Sequence, residues 1–368
     1  MNTNHDAFVL LDQVSDEPRQ TRTDRILRKK KKGTIMPKSP VTQLSRWDQR
    51  IPRRQWLLGS LFGAVGLATS RSGWCSPPPE TTSAELASIL ARAKKAKLGD
   101  FQVTESKEKQ YVGIGDAPAD FRADALSICE SLAKLYRDYF EAKGFEVGTP
   151  ESGLIMVILK DKESYKAFVG PGEGADVGAE VGGHYDVDAN QLVVFDSRHN
   201  DDGRAASKRV NTFTLVHEAI HQLTYNTGLL ERVGDVPVAL SEGFATFGEL
   251  WQQSNQRSTL GVTNSARLAV FTQPGGQAAW IPVQELLTKD DLFTDPDTVQ
   301  VAYAESWVFV HYFMRSTPAK LTKFRAYLDA LRKRRDPSHR LEDARTHLGE
   351  LARLDKDLKQ YANKQLRR

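Results

Sequence analysis

The chain has 368 residues, 40% of them hydrophobic and 27% charged, as expected of a soluble globular protein with a real core. Its two cysteines, Cys75 and Cys129, exclude a disulfide framework, so a metal site must use His and Glu. The net charge of +4 belongs to the leader: residues 1–75 carry fourteen Lys/Arg and six Asp/Glu, leaving 37 basic and 41 acidic residues beyond, and a nucleic-acid partner loses its main support.

Residues 1–50 are polar, lack apolar periodicity and include the run Arg28-Lys29-Lys30-Lys31-Lys32. They read as a disordered or untranslated extension, with Met36 a more sensible start than Met1. Residues 51–75 carry a basic segment, an apolar segment and then small residues, the pattern of a signal peptide. The pair Arg53-Arg54 resembles a twin-arginine export signal, although Pro52 and Leu58 depart from that pattern. The apolar segment is roughly 13 residues, short of the about 20 that span a bilayer. An uncleaved anchor through 55–69 is the alternative reading. Either way the body of the protein is expected to be exported, to the periplasm, the cell surface or the medium. Trp74 stands where a lipoprotein signal needs a small residue before Cys75.

Residues 76–100 read as a Pro-rich linker and a short helix over 83–97. Phe101–Ser106 and Gln110–Ile114 alternate as strands, and 119–143 is an amphipathic helix. Gly153–Leu159 is a buried strand, followed by a short helix capped by Asp161. A glycine-rich loop fills 169–183. His184–Val187 and Gln191–Phe195 flank Asp188-Ala189-Asn190 as a hairpin. From about 207 onward the pattern is helical. The expected organisation is therefore α+β, with a mixed N-terminal lobe over about 101–200, a helical lobe over about 201–368, and one site in the cleft between them.

The helix predicted over 208–226 carries His217-Glu218-Ala219-Ile220-His221, and Gly228 stops it. Spacing i, i+4 puts two imidazoles one turn apart on one face, within reach of one ion, with a carboxylate beside them. Phe213, Val216, Ile220 and Leu223 form an apolar stripe, with the histidines at its edge and Glu218 toward the open side. Glu242, in Ser241-Glu242-Gly243, offers a third ligand; alone, it would serve equally as an acidic residue opening a helix. Two neutral imidazoles and one carboxylate would leave Zn2+, one per chain, with net positive charge and an open position. Thr246 and Glu249 lie one and two turns beyond Glu242, where either could accept a bond from a ligand imidazole.

His217-Glu218-x-x-His221 with Glu242 resembles the gluzincin peptidases, the thermolysin and aminopeptidase N-like group, and best suits an uncharacterised bacterial family of predicted exported gluzincins. The segment from Tyr303 to Phe313 is similar to that group's later tyrosine-bearing helix. The likeness covers about 101–365 in general pattern, and only the three short motifs are specific. It implies a zincin-like fold and a peptide or protein substrate. It also implies Glu218 as general base and Tyr303 as oxyanion stabiliser; His311 and His184 are the alternatives to Tyr303 as that donor. A hairpin edge at 184–195 could pair with an extended peptide. The G-x-M-E-N string of true aminopeptidases is missing, which points to an endopeptidase. Two other readings stay open: a hydrolase of another amide or ester, and an exported zinc-binding protein using the cleft for recognition. Oligomeric state is not legible.

Overall fold

The computed structural model describes residues 83–150, 152–171, 182–198, 212–252, 259–272 and 280–366. The extension, signal segment and linker expected before residue 83 lie outside the described residues, as does most of the glycine-rich stretch 169–183. Among the described residues, no helix is long and apolar enough to cross a membrane.

The architecture is α+β, a small mixed sheet followed by a mainly helical C-terminal part. Helix α1 (Ser83–Lys95) precedes β1 (Gln102–Glu105) and β2 (Tyr111–Gly115), an antiparallel pair. Helix α2 (Ala119–Ala142) crosses to β3 (Leu154–Leu159), parallel to β2. Helix α3 (Lys162–Val169) follows, and Asp161 caps it by accepting from Ser164 N at 2.7 Å. Strands β4 (Gly183–Asp186) and β5 (Gln191–Phe195) form the expected hairpin, and β5 inserts parallel beside β3. The order is β1-β2-β3-β5-β4, so β4 is an edge.

Both faces of this sheet are covered, which explains the unbroken apolar run of β3. Met156, Ile158, Leu192 and Val194 pack toward α2 and the helical part. Ile155, Val157, Leu159, Val193 and Phe195 pack toward α1 and α3.

Helix α4 (Thr212–Asn226) carries the His-Glu-x-x-His string. It is expected to show one open side, but every residue from Thr214 to Thr224 is buried. Its polar residues face neighbouring layers instead of water: Gln222 Nε2 donates to Ile155 O at 3.0 Å, and Tyr136 OH donates to Thr224 Oγ1 at 3.1 Å. The helix ends before Gly228, which takes φ 78°, a left-handed conformation that glycine adopts without steric cost.

Helix α5 (Val238–Gly248) starts behind Pro237, so Glu242 lies a full turn inside it instead of at its N-terminus. That start is clamped: Val238 N donates to Asp290 Oδ1, and the buried Arg340 grips Asp290 and, through two bonds of 2.6 and 2.8 Å, Asp235. Beyond come α6 (Ser265–Ala269), α7 (Val283–Leu286), α8 (Val299–Met314), α9 (Pro318–Leu331), α10 (Arg340–Leu348) and α11 (Leu351–Leu366). Helix α8 is buried from Val301 to Met314 and crosses α5 closely. At Gly243 a Cβ would stand 2.7 Å from Ser306 O and 2.7 Å from Val310 Cγ2, so this position has no room for a side chain.

Candidate metal centre

His217 and His221 project from adjacent turns of α4 toward Glu242 on α5. His217 Nε2 lies 3.2 Å from Glu242 Oε2, and His221 Nε2 lies 3.5 Å from Glu242 Oε1. One donor atom from each residue falls within 4.8 Å of the others, a group that could hold a metal ion. Two imidazoles and a carboxylate are a donor set that zinc accepts, and among the described residues the group has three members. The two rings meet edge to face with centroids 4.9 Å apart.

Each imidazole is oriented from behind. His217 Nδ1 faces Glu249 Oε2 at 3.2 Å. Glu249 is held in turn by Arg267, whose Nε and Nη2 donate to its two oxygens at 3.0 and 2.9 Å, and by Asn264 Nδ2. Asn264 also caps α6 by accepting from Arg267 N at 3.2 Å. His221 Nδ1 faces Ser241 Oγ at 3.0 Å. With both Nδ1 atoms occupied by oxygen partners, both Nε2 atoms turn inward. Such partners fix the ring and tautomer that a metal needs. Of the two residues expected one and two turns past Glu242, Glu249 takes this role. Thr246 does not: its hydroxyl donates to Glu242 O and Gly243 O in its own helix.

Burial opposes charging His217, but Glu242 and Glu249 outweigh it and push its pKa up to about 10. Burial likewise opposes ionising Glu242, yet the two imidazoles hold it well below the usual carboxylate range. Glu249 is held low against burial, chiefly by Arg267.

Glu218 stands outside the ligand cluster. It is buried, and its Oε2 accepts from Tyr185 N on edge strand β4 at 2.9 Å. Burial pushes its pKa up, against the pull of His217 and His221. Thus the carboxylate beside the histidines faces the sheet edge.

Tyr303 is buried on α8, with the Arg267 guanidinium 5.2 Å from its ring centroid and Phe293 packed edge-on at 5.5 Å. It reaches the cluster's surroundings through the residue that holds Glu249. The other two expected donors sit elsewhere. His184 Nδ1 pairs with Tyr165 OH at 2.5 Å, on the α3 face of the sheet. His311 stacks on Trp307 and spends both nitrogens, one on Tyr361 OH at 2.7 Å and one on Gly261 O at 3.1 Å. Burial pushes both histidines down to about 4.

Asn264, Arg267 and Tyr185 escape sequence reasoning. They lie off α4, and no spacing links them to the histidines. A surface hollow of about 720 Å³ between β1 and α2 is unrelated to this cluster; it is lined by Ser106, Glu108, Glu130 and Lys134, among others.

Residues 211–337, about a third of the chain, match the family described as "Protein of unknown function (DUF1570)". No curated protein matches the sequence. The matched segment contains His217, Glu218, His221, Glu242, Glu249, Arg267 and Tyr303, and it omits the sheet and the last two helices.

Proposed function

We propose that this protein is a zinc-dependent peptidase of gluzincin type and zincin-like fold, hydrolysing peptide bonds with Glu218 as general base. One observation carries the reading: two imidazoles and a carboxylate converge through one donor atom each, each ring is braced at Nδ1, and a carboxylate outside that group stands beside them. Among the described residues no fourth ligand closes the group, as one would in a structural zinc site.

His217, His221 and Glu242 would hold the ion, which when bound supplies Lewis acidity that activates water and polarises a carbonyl. Glu218 takes the proton from the attacking water and passes it to the leaving nitrogen. Tyr185 N–H fixes one oxygen of Glu218 and leaves the other to move that proton. Burial makes Glu218 a stronger base than an exposed glutamate. Tyr303, a neutral phenol, is assigned as oxyanion donor. Substrate is a peptide or protein lying along the edge of β4. The leader, with Arg53-Arg54 before its apolar segment, supports export.

The test is metal analysis of the full-length protein with digestion of a peptide library, set against Glu218→Ala. One zinc per chain in both proteins, with cleavage only in the wild type, is the expected result. Zinc without cleavage of any peptide would instead favour a zinc-binding protein or a hydrolase of another amide or ester.

A further inference from the structure

Behind His221 lies a chain of contacts that ends at the sheet edge. Ser241 Oγ, 3.0 Å from His221 Nδ1, is also 3.2 Å from the hydroxyl of Tyr225. Tyr225 stands one turn after His221 on α4 and is half-buried. Its ring stacks on that of Tyr185, with centroids 6.1 Å apart and planes 20° apart. Tyr185 is the edge-strand residue whose N–H holds Glu218. Its own hydroxyl donates to Asn190 Oδ1 at 2.7 Å. Asn190 and Asn226 exchange two bonds, of 2.8 and 2.7 Å, and so lock the hairpin turn to the end of α4.

We propose that Tyr225 is a positioning residue for the metal ligand His221, acting through Ser241 and braced by Tyr185. The inference rests on the metal reading of the cluster and not on peptidase activity.

The argument is a count of hydrogens. His221 can offer Nε2 to a metal only when its proton is on Nδ1. Ser241 must then accept from Nδ1 with one of its two lone pairs, and the Tyr225 hydroxyl donates to the other. If Ser241 instead donated to Nδ1, the proton would sit on Nε2 and block the metal. Tyr225 thereby pins the serine oxygen where it faces the imidazole as an acceptor. The stack on Tyr185 keeps the phenol at that spot. The same residue that anchors the general base by its main chain thus steadies a metal ligand by its ring.

The experiment is Zn2+ titration of the full-length protein against a chromophoric chelator, with melting temperatures alongside. Tyr225→Phe keeps the stack and removes only the hydroxyl, and should weaken Zn2+ binding about tenfold with little change in melting temperature. Ser241→Ala should weaken it by about 10- to 100-fold. The double variant should match Ser241→Ala, because Tyr225 acts only through the serine. Tyr225→Leu loses stack and hydroxyl together, and affinity should drop at least as far. Unchanged affinity in Tyr225→Phe, or independent effects of the two substitutions, would overturn the inference while the metal site stands. A wild type that binds no Zn2+ would sink both readings, and its silence tells that case apart.

Discussion

Behind His217 stand a carboxylate, a guanidinium and an amide, all buried. Behind His221 stand two hydroxyls, one on a half-exposed tyrosine. The pair of ligands sits on one helix, one turn apart, yet the supports differ in kind. A charged partner raises the basicity of an imidazole more than a neutral one. It also exacts desolvation, which Arg267 offsets by neutralising Glu249. On the proposed reading His217 is therefore the stiff ligand, fixed from the helical interior, and His221 the tunable one, tied to the sheet edge where a substrate would lie.

The sharpest way to break this contrast is Arg267→Met. It strands the Glu249 carboxylate in the interior, and unfolding experiments should show a loss of about 3–5 kcal/mol. An unchanged denaturation midpoint would mean that the charged support carries no weight. Next in size is Tyr303→Phe. On the proposed mechanism, kcat should fall about 10²–10³-fold with little change in KM or zinc content. A loss of stability without a selective loss of turnover would make Tyr303 a packing residue.

Glu249→Gln removes the charge but keeps an oxygen for His217. Zinc affinity should drop by about 10- to 100-fold, further than Tyr225→Phe lowers it on the neutral side. Equal losses on the two sides would erase the distinction drawn here.

A pH series sharpens the comparison at smaller amplitude. The folded, metal-free state holds His217 up to about 10, above its ordinary value near 6.5, after the flanking carboxylates overcome burial. Its contribution to stability is therefore complete below about 6.5 and is lost as pH rises toward 10. Zinc must displace that same proton, so zinc affinity should climb across the window in which metal-free stability declines. Melts in chelator and titrations with zinc, run at matched pH, should slope in opposite directions.

Much of the sheet is legible because its strands carry their own signals. The apolar run Leu154–Leu159 and the turn at Asp188-Ala189-Asn190 mark β3 and the hairpin within a residue or two. The pair His217 and His221 is legible for the same reason: helical spacing is a local property. Glu242 is offered by a second helical segment at the right distance and supported by likeness to a known pattern, but the start of its helix is misplaced. The boundary depends on Pro237 and on a clamp from Asp290 and Arg340, residues far along the chain. Glu249 can be guessed from its place on the helix of Glu242. Arg267, Asn264 and Tyr225 cannot, since their roles arise only when separate elements pack. The burial of α4 on all sides has the same cause: its polar Gln222 and Thr224 find their partners on β3 and α2, which helical spacing does not place.

The bare Cα of Gly243 against α8 has a mechanical consequence. Where side chains separate two helices, rotamer changes absorb small displacements. Here no side chain of α5 stands between the helices, and a Cβ would meet Ser306 O of the main chain as well as Val310 Cγ2, so α5 has no rotamer with which to give. Helix α8 therefore fixes how close α5, which carries Glu242 one residue away, is held to it. The far end of α8 is gripped by α11 through Tyr361 on His311 and Asp357 on Tyr312. A pull on that C-terminal helix would reach Glu242 as a shift in position, not as a change in its chemistry.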